Sequence, residues 1–350
     1  MTTIPVTGRV VTGGVDTHAD FHVAAAVDHL GGILGTASFP ATGPGYRRLV
    51  SWLRSHGMVD RVGVEGTGSY GAELARHLRS EQITVVEVSC PNRQVRRRHG
   101  KTDMVDAIAA ARAVLAGDAA ATPKARDGAV EALRTIKLVQ RSATKARTVA
   151  LNQLHSLLVT ADDTLRAKLR GASRAETIAT CAAFRVKADD DSVAAMTRLA
   201  LRELAQRVQH LDEQLDRCAQ RLKRITATVA PTLLECKGIG PDVASTLLIT
   251  VGDNPDRMHH EKSFASLCGT SPLQASSGKT TRHRLNRGGD RQANAALWRI
   301  AIVRMGTDQR TRDYVARRVT EGKNKTEIIR CLKRYIAREI FNIITQACPA

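Results

Sequence analysis

The chain has 350 residues, 53 Lys and Arg against 34 Asp and Glu, and a formal net charge of +19, so it can hold two or three domains and carries the electrostatic footprint of a nucleic-acid binder. No run approaches 18 apolar residues and the opening MTTIPVTGRV lacks the apolar core of a signal peptide, so neither a membrane span nor export is expected. Aromatic residues are only 3% of the chain, which weighs against single-strand binding on stacked rings and favours backbone contacts by Arg and Lys.

In chain order, Val10 to Pro40 holds three stretches, VVTGGVD, FHVAAAVD and GILGTASF, parted by THAD and a Gly-Gly turn, the pattern of consecutive hairpin-linked strands. A helix follows at Tyr46 to Ser55, then a buried strand in RVGVEGT, a helix over Ala72 to Arg79, and a fifth strand in ITVVEVS. Helices are expected around Asn92 to Arg98 and from Asp103 to Leu115. Three strands in succession, then alternating helix and strand, is the element order of a ribonuclease H-like domain, placed at residues 8–120.

Beyond Gly117 the strand signals stop, giving an α/β domain followed by helical ones. Residues 127–230 read as a helical segment: a long helix over Val130 to Leu158, a loop-prone stretch around Gly171 and Asp189 to Asp191, then a heptad seam. In that seam Leu201, Leu204, Val208, Leu211, Leu215, Cys218, Leu222, Ile225 and Val229 recur at intervals of three and four. A coiled coil between protomers is the preferred reading; an antiparallel pair with the Val130 to Leu158 helix is the alternative. Residues 231–346 form a mainly helical third domain, in which Lys279 to Arg338 holds 17 Lys and Arg against five Asp and Glu. The seven cysteines show no metal-ligand spacing or disulfide framework and read as reduced core residues of a cytosolic protein.

Four acids can carry chemistry. Asp16 and Glu65 end apolar runs, and Asp103 and Asp106 lie three apart at the start of a helix. Clustered carboxylates repel unless a cation neutralises them, and hard Mg²⁺ takes a few carboxylate oxygens while leaving positions for phosphate. Taken singly, Asp16 could instead form a turn and Asp103 could answer the helix dipole. GTGSYG after Glu65 suits a phosphate approach or a plain strand-to-helix turn equally. The basic PNRQVRRRHGK, with Arg93, Arg96, Arg97, Arg98 and Lys101, can neutralise phosphates. KGIGPDVA has a helix-hairpin-helix pattern in which Gly238 and Gly240 expose backbone N–H groups, though a simple helix–helix turn uses the same residues. In SPLQASSGKTTRHRLNRGG, Ser276 and Ser277 stand among Lys279, Arg282, Arg284 and Arg287; composition alone makes this a phosphate-binding loop.

The motifs GVDTH, VEGTGSYG, KTDMVDA, KGIGPDVAS, SFASLCGTSPLQASSGKT and RGGDRQANAALWRIA, in that order over nearly the whole chain, resemble the transposases of insertion-sequence family one-ten, IS110. The resemblance implies a RuvC-like domain whose DEDD acids fall on Asp16, Glu65, Asp103 and Asp106, and a C-terminal domain whose catalytic serine falls on Ser277, with Ser276 the adjacent alternative. It further implies a Mg²⁺-dependent DNA recombinase that forms a phosphoserine link, is guided by a noncoding bridge RNA, and acts as a homo-oligomer on donor and target DNA in the prokaryotic cytoplasm, at the nucleoid. A water-using RuvC-like junction endonuclease is the alternative. RGGDRQAN departs from the usual Gly-Asn and puts the helix start near Asp290 in question.

Overall fold

The computed structural model describes residues 8–88, 102–279, 283–284 and 286–347. It divides into two compact units, one of residues up to 128 together with 251–259, the other of residues 129–250 and from 260 onward.

The first unit is a five-stranded sheet with helices on it. Its elements are β1 (Val10–Thr17), β2 (Phe21–Val27), β3 (Ile33–Pro40), α1 (Gly43–Ser55), β4 (Met58–Glu65), α2 (Ala72–Ser80), β5 (Thr84–Val88) and α3 (Asp103–Leu115). The strand order is β3-β2-β1-β4-β5; β1 runs antiparallel to β2 and parallel to β4, and β5 runs parallel to β4. The central strands are buried on both faces, which is why VVTGGV and FHVAAAV are almost wholly apolar or small. One face carries Val11, Val15, Ala24, Val62 and Val64 into a core with Leu49 and Leu53 of α1 and Leu74 and Leu78 of α2. α1 can dock there because Tyr46, Leu49, Val50 and Leu53 make one stripe at helical spacing, with Thr42 capping its start. The other face, with Val23, Ala25, Val86 and Val88, takes Ala107, Ala110 and Val114 of α3. Asn254 joins residues 251–259 to this unit, donating to the Pro123 carbonyl at 3.0 Å and accepting from the Ala125 amide at 3.0 Å.

The second unit is mainly helical. It opens with α4 (Ala129–Thr160), α5 (Asp163–Leu169), α6 (Arg174–Ala182) and α7 (Val193–Val229). The segment expected to be loop therefore holds two short helices, started by Asp162 and by a capping box between Ser173 and Glu176. α7 packs along α4, antiparallel, with Arg147 of α4 paired to Asp212 of α7. Ala150, Leu154, Leu201, Ala205 and Val208 share one cluster with Leu165 and Cys181. Leu201, Leu204 and Val208 of the heptad seam thus pack on α4 of the same chain, the arrangement of the alternative reading: a seam of this period accepts any apolar helix, and the tethered one is always present.

The remaining elements are α8 (Pro231–Glu235), α9 (Pro241–Val251), α10 (Glu261–Leu267), the two-residue strands β6 (Leu273–Gln274) and β7 (His283–Arg284), α11 (Arg291–Thr307), α12 (Gln309–Thr320) and α13 (Lys325–Ala347). α13 packs against α10, α11 and α12, burying Phe264, Leu297, Ile300, Ile328, Ile336 and Ile340. Asp290 caps α11 by accepting from the Gln292 and Ala293 amides, so the helix start at RGGDRQAN is secured by aspartate. Among the described cysteines all five are free thiols, and burial pushes Cys268 up to about 12.

Candidate metal centre and basic hairpin

Alternation along β1 and β4 decides where two of the acids point. Val15 and Val64 pair across the strands and enter the α1 and α2 core, so Asp16 and Glu65, one residue further on, turn to the α3 face. Two residues before them on that face stand Gly14 and Gly63, themselves paired. A Cβ on Gly14 would lie 2.2 Å from the Ala107 carbonyl oxygen and the Ala111 nitrogen, and one on Gly63 would lie 2.7 Å from Val114 Cγ2. These glycines let α3 lie directly on the sheet. In the turn that ends at Ala107, the same helix carries Asp103 and Asp106 to the end of β1, where Asp16 feels both charges.

Thr102 caps α3 by accepting from the Val105 amide at 3.3 Å, and both acids occupy the first turn, where the helix dipole favours negative charge. Asp106 and Asp16 are buried, at 4% and 9% exposure, while the Asp103 carboxylate is partly open to solvent. His18 Nε2 lies 3.2 Å from Asp16 Oδ2 and 3.4 Å from Asp103 Oδ2. Asp16, His18 and Asp103 offer ligand atoms all within 4.8 Å of one another. Burial raises the Asp16 carboxyl above its ordinary range; His18 opposes that shift, and the charges of Asp106 and Asp103 add to it. Excess negative charge on a buried carboxyl, beside an open carboxylate and an imidazole, is a donor set that suits a divalent cation. Glu65 stands at the end of β4 on the same face, and its carbonyl accepts from Thr17 Oγ1 at 2.9 Å, tying the ends of β1 and β4 together.

His18 was missed from the sequence because THAD reads as a turn. The signal was its spacing, two residues after Asp16, which returns a side chain to the same side in extended chain. In GTGSYG the Gly66 carbonyl accepts from the Ser69 and Gly71 amides, and Thr67 donates to Glu87 at 2.7 Å, so the segment is a closed strand-to-helix turn.

In the second unit, Gly238 adopts φ 85° between α8 and α9, and the Gly240 carbonyl accepts from the Ala244 amide as α9 begins. This is the expected pair of helices joined by a tight turn. β6 and β7 form a small hairpin, and Ser276, Ser277, Gly278 and Lys279 lie exposed beyond β6, with Gly278 at φ 56°. Gln274 donates to Ser276 Oγ at 3.3 Å. Arg284 and Arg287 are exposed. Arg93, Arg96, Arg97, Arg98, Lys101 and Arg282 lie outside the described residues.

Two family models match the chain. Residues 13–161, which include all four acids, match a model described as a transposase and named for the DEDD transposases of IS110; residues 230–316, which include the serine hairpin, match one described as the transposase IS116/IS110/IS902 family. A protein of Streptomyces coelicolor, described as the insertion element IS110 uncharacterized 43.6 kDa protein, is 32% identical over 120 residues, 33% of this chain and 29% of the relative. The matched stretch therefore spans less than a third of that relative. No helix among the described residues is long and apolar enough to cross a membrane.

Proposed function

Because this chain belongs to the IS110 family of transposases, we propose that it is a DNA recombinase that cleaves and exchanges strands through Ser277, with Mg²⁺ held by the acids of the first unit. The observation that carries the reading is the convergence of Asp16, His18 and Asp103 at one end of a β-sheet, with Asp106 buried in the same helical turn as Asp103. On this reading residues 8–120 are a ribonuclease H-like, RuvC-like domain, 127–230 a helical segment, and 231–346 the transposase domain. Three antiparallel strands followed by two parallel ones, with acids at the ends of β1 and β4, support the first assignment.

Asp16, Glu65, Asp103 and Asp106 would hold the cation, and His18 adds a nitrogen donor beside them. When bound, Mg²⁺ supplies charge neutralisation at a phosphate and lowers the pKa of a coordinated hydroxyl. Ser277 Oγ attacks the DNA phosphorus, the Ser–O–P bond forms, the P–O bond to the leaving nucleoside breaks, and that oxygen takes up the proton the serine loses. Attack on the phosphoserine by a nucleoside hydroxyl of a second DNA reverses these events and releases the serine, so bond energy is kept throughout. Lys279, Arg284 and Arg287 place cations near the serine in sequence, where they offset charge developing on the attacked phosphate. Gly238 and Gly240 open a backbone-reading turn that is blind to base identity.

By the same family reading, a noncoding bridge RNA selects donor and target by base pairing, the protein acts as a homo-oligomer, and it works in the prokaryotic cytoplasm at the nucleoid. A transcribed, foldable noncoding stretch beside the open reading frame supports the guide, and its absence counts against it.

Two substitutions test the chemistry. Ser277→Ala should abolish a protein–DNA adduct trapped on a denaturing gel; a RuvC-like endonuclease that uses water would keep cutting. Asp16→Asn should lower cleavage by on the order of 10³-fold or more while DNA binding persists, since it removes a buried metal ligand. A merely structural acid would leave cleavage intact.

A further inference from the structure

Away from the acids and the hairpin, the helices α11, α12 and α13 and the turn before α9 line an open cavity of about 650 Å³. That volume lies within the range of about 300–1,000 Å³ typical of small-ligand sites. Its lining contains five cationic side chains against two anionic ones. The anions are already engaged: Glu339 takes a two-point contact from Arg304 at 2.7 and 2.8 Å, and Asp308 caps α12 by accepting from Thr311. Arg310 makes no ion pair among the described residues. Arg338 shares Glu261 with Arg334, which holds that carboxylate by two contacts of its own. The cations of the cavity therefore exceed the charge available to them.

Two of the chain's four tyrosines meet in the same cavity. Tyr314 and Tyr335 lie edge to face, ring centres 5.8 Å apart, and the Arg317 guanidinium sits 5.4 Å from the Tyr314 ring centre. Tyr335 remains 54% exposed. Arg317 shares Glu321 with Arg318, so of the three guanidinium groups beside the rings Arg310 is unpaired among the described residues and two divide a carboxylate with a neighbour; an aromatic face next to such a surplus of guanidinium has the two chemistries of a nucleotide, a flat base and a phosphate.

We propose that this cavity holds one unpaired nucleotide of a bound nucleic-acid strand, the base stacked on Tyr335 and the phosphate met by Arg310, Arg317 and Arg338. The proposal rests on the reading of the chain as a nucleic-acid enzyme, and it adds a point at which a strand leaves its duplex. It also revises the expectation from composition: few rings are present, but half of the tyrosines are gathered at one basic site.

The test uses the full chain and fluorescence anisotropy with three probes of about 16 nucleotides: a thymidine DNA strand, a uridine RNA strand and a DNA duplex. Tyr335→Ala should weaken binding of a single strand between about 5-fold and about 150-fold and leave the duplex unchanged. Tyr335→Phe should bind as the parent does, since it keeps the ring. Arg310→Ala should lower the slope of single-strand affinity against salt by about one phosphate contact. Loss confined to DNA or to RNA identifies the strand. Equal losses for single strand and duplex, or no loss from Tyr335→Ala, overturn the proposal while leaving strand cleavage by the parent chain untouched. Failure of the parent to bind any probe overturns both this site and the function it rests on. Unchanged thermal unfolding of Tyr335→Ala, an exposed position, shows that a lost affinity is not lost fold.

Discussion

The two regions on which the proposed reaction depends are built on opposite principles. The acids of the first unit are positioned by packing: Asp16 and Asp106 are buried, and the helix bearing Asp103 and Asp106 lies on glycines that leave it no latitude. Ser277 sits exposed on a hairpin of two-residue strands whose pairing is Leu273 with Arg284 and Gln274 with His283. A carboxylate cluster must be held against its own repulsion, which demands a rigid frame, whereas a nucleophile that travels with a DNA end gains from a short, lightly tethered loop. Packing belongs to the charged site and exposure to the proposed nucleophile.

The sharpest way to break that contrast is Gly14→Ala. The added methyl would overlap backbone of α3 at 2.2 Å, which neither strand nor helix can relieve, so a loss of more than about 3 kcal/mol and of divalent-metal binding is expected. Urea denaturation and Mn²⁺ titration measure the two, and a variant that kept both would show that the helix does not rest on the strands as described. Next in size is Leu201→Ala, at a fully buried position between α4 and α7, with an expected cost of about 3 kcal/mol. It should leave Mn²⁺ affinity unchanged, which sharpens the comparison by damaging only the helical region.

The smallest effect concerns Glu261. Hydrogen bonding from Arg334 is the main cause that lowers its carboxyl to about 2 from 4.5; burial opposes this, and the charges of Arg334 and Arg338 reinforce it. A depressed folded value means the stabilisation is complete above the unfolded value near 4.5 and is lost as pH falls from there toward 2. Glu261→Gln should therefore cost about 1 kcal/mol at neutral pH and nothing at the acid end of that window, as read from denaturant midpoints at the two pH values. A gap that widened on acidification would refute the assignment.

Much of the first unit was legible because its signals are local and redundant. VVTGGVD and FHVAAAVD announce buried strands, and DMVDAIAAARAVL announces a helix with acids at its start. The short helices α5 and α6 were not, since each offers only one or two buried residues and the capping box of Ser173 and Glu176 was the sole strong cue. His18 hid in a turn-like tetrapeptide. The Tyr314 and Tyr335 pair is invisible in one dimension because the turn between α12 and α13, not spacing along either helix, brings the rings together.

The pairing of α4 with α7 has a thermodynamic corollary. A helix that finds its mate within its own polypeptide folds by a unimolecular equilibrium, so its melting midpoint should be indifferent to dilution. Self-association of this protein would then be read in the concentration dependence of other surfaces, with the long helical hairpin arriving at any assembly already formed.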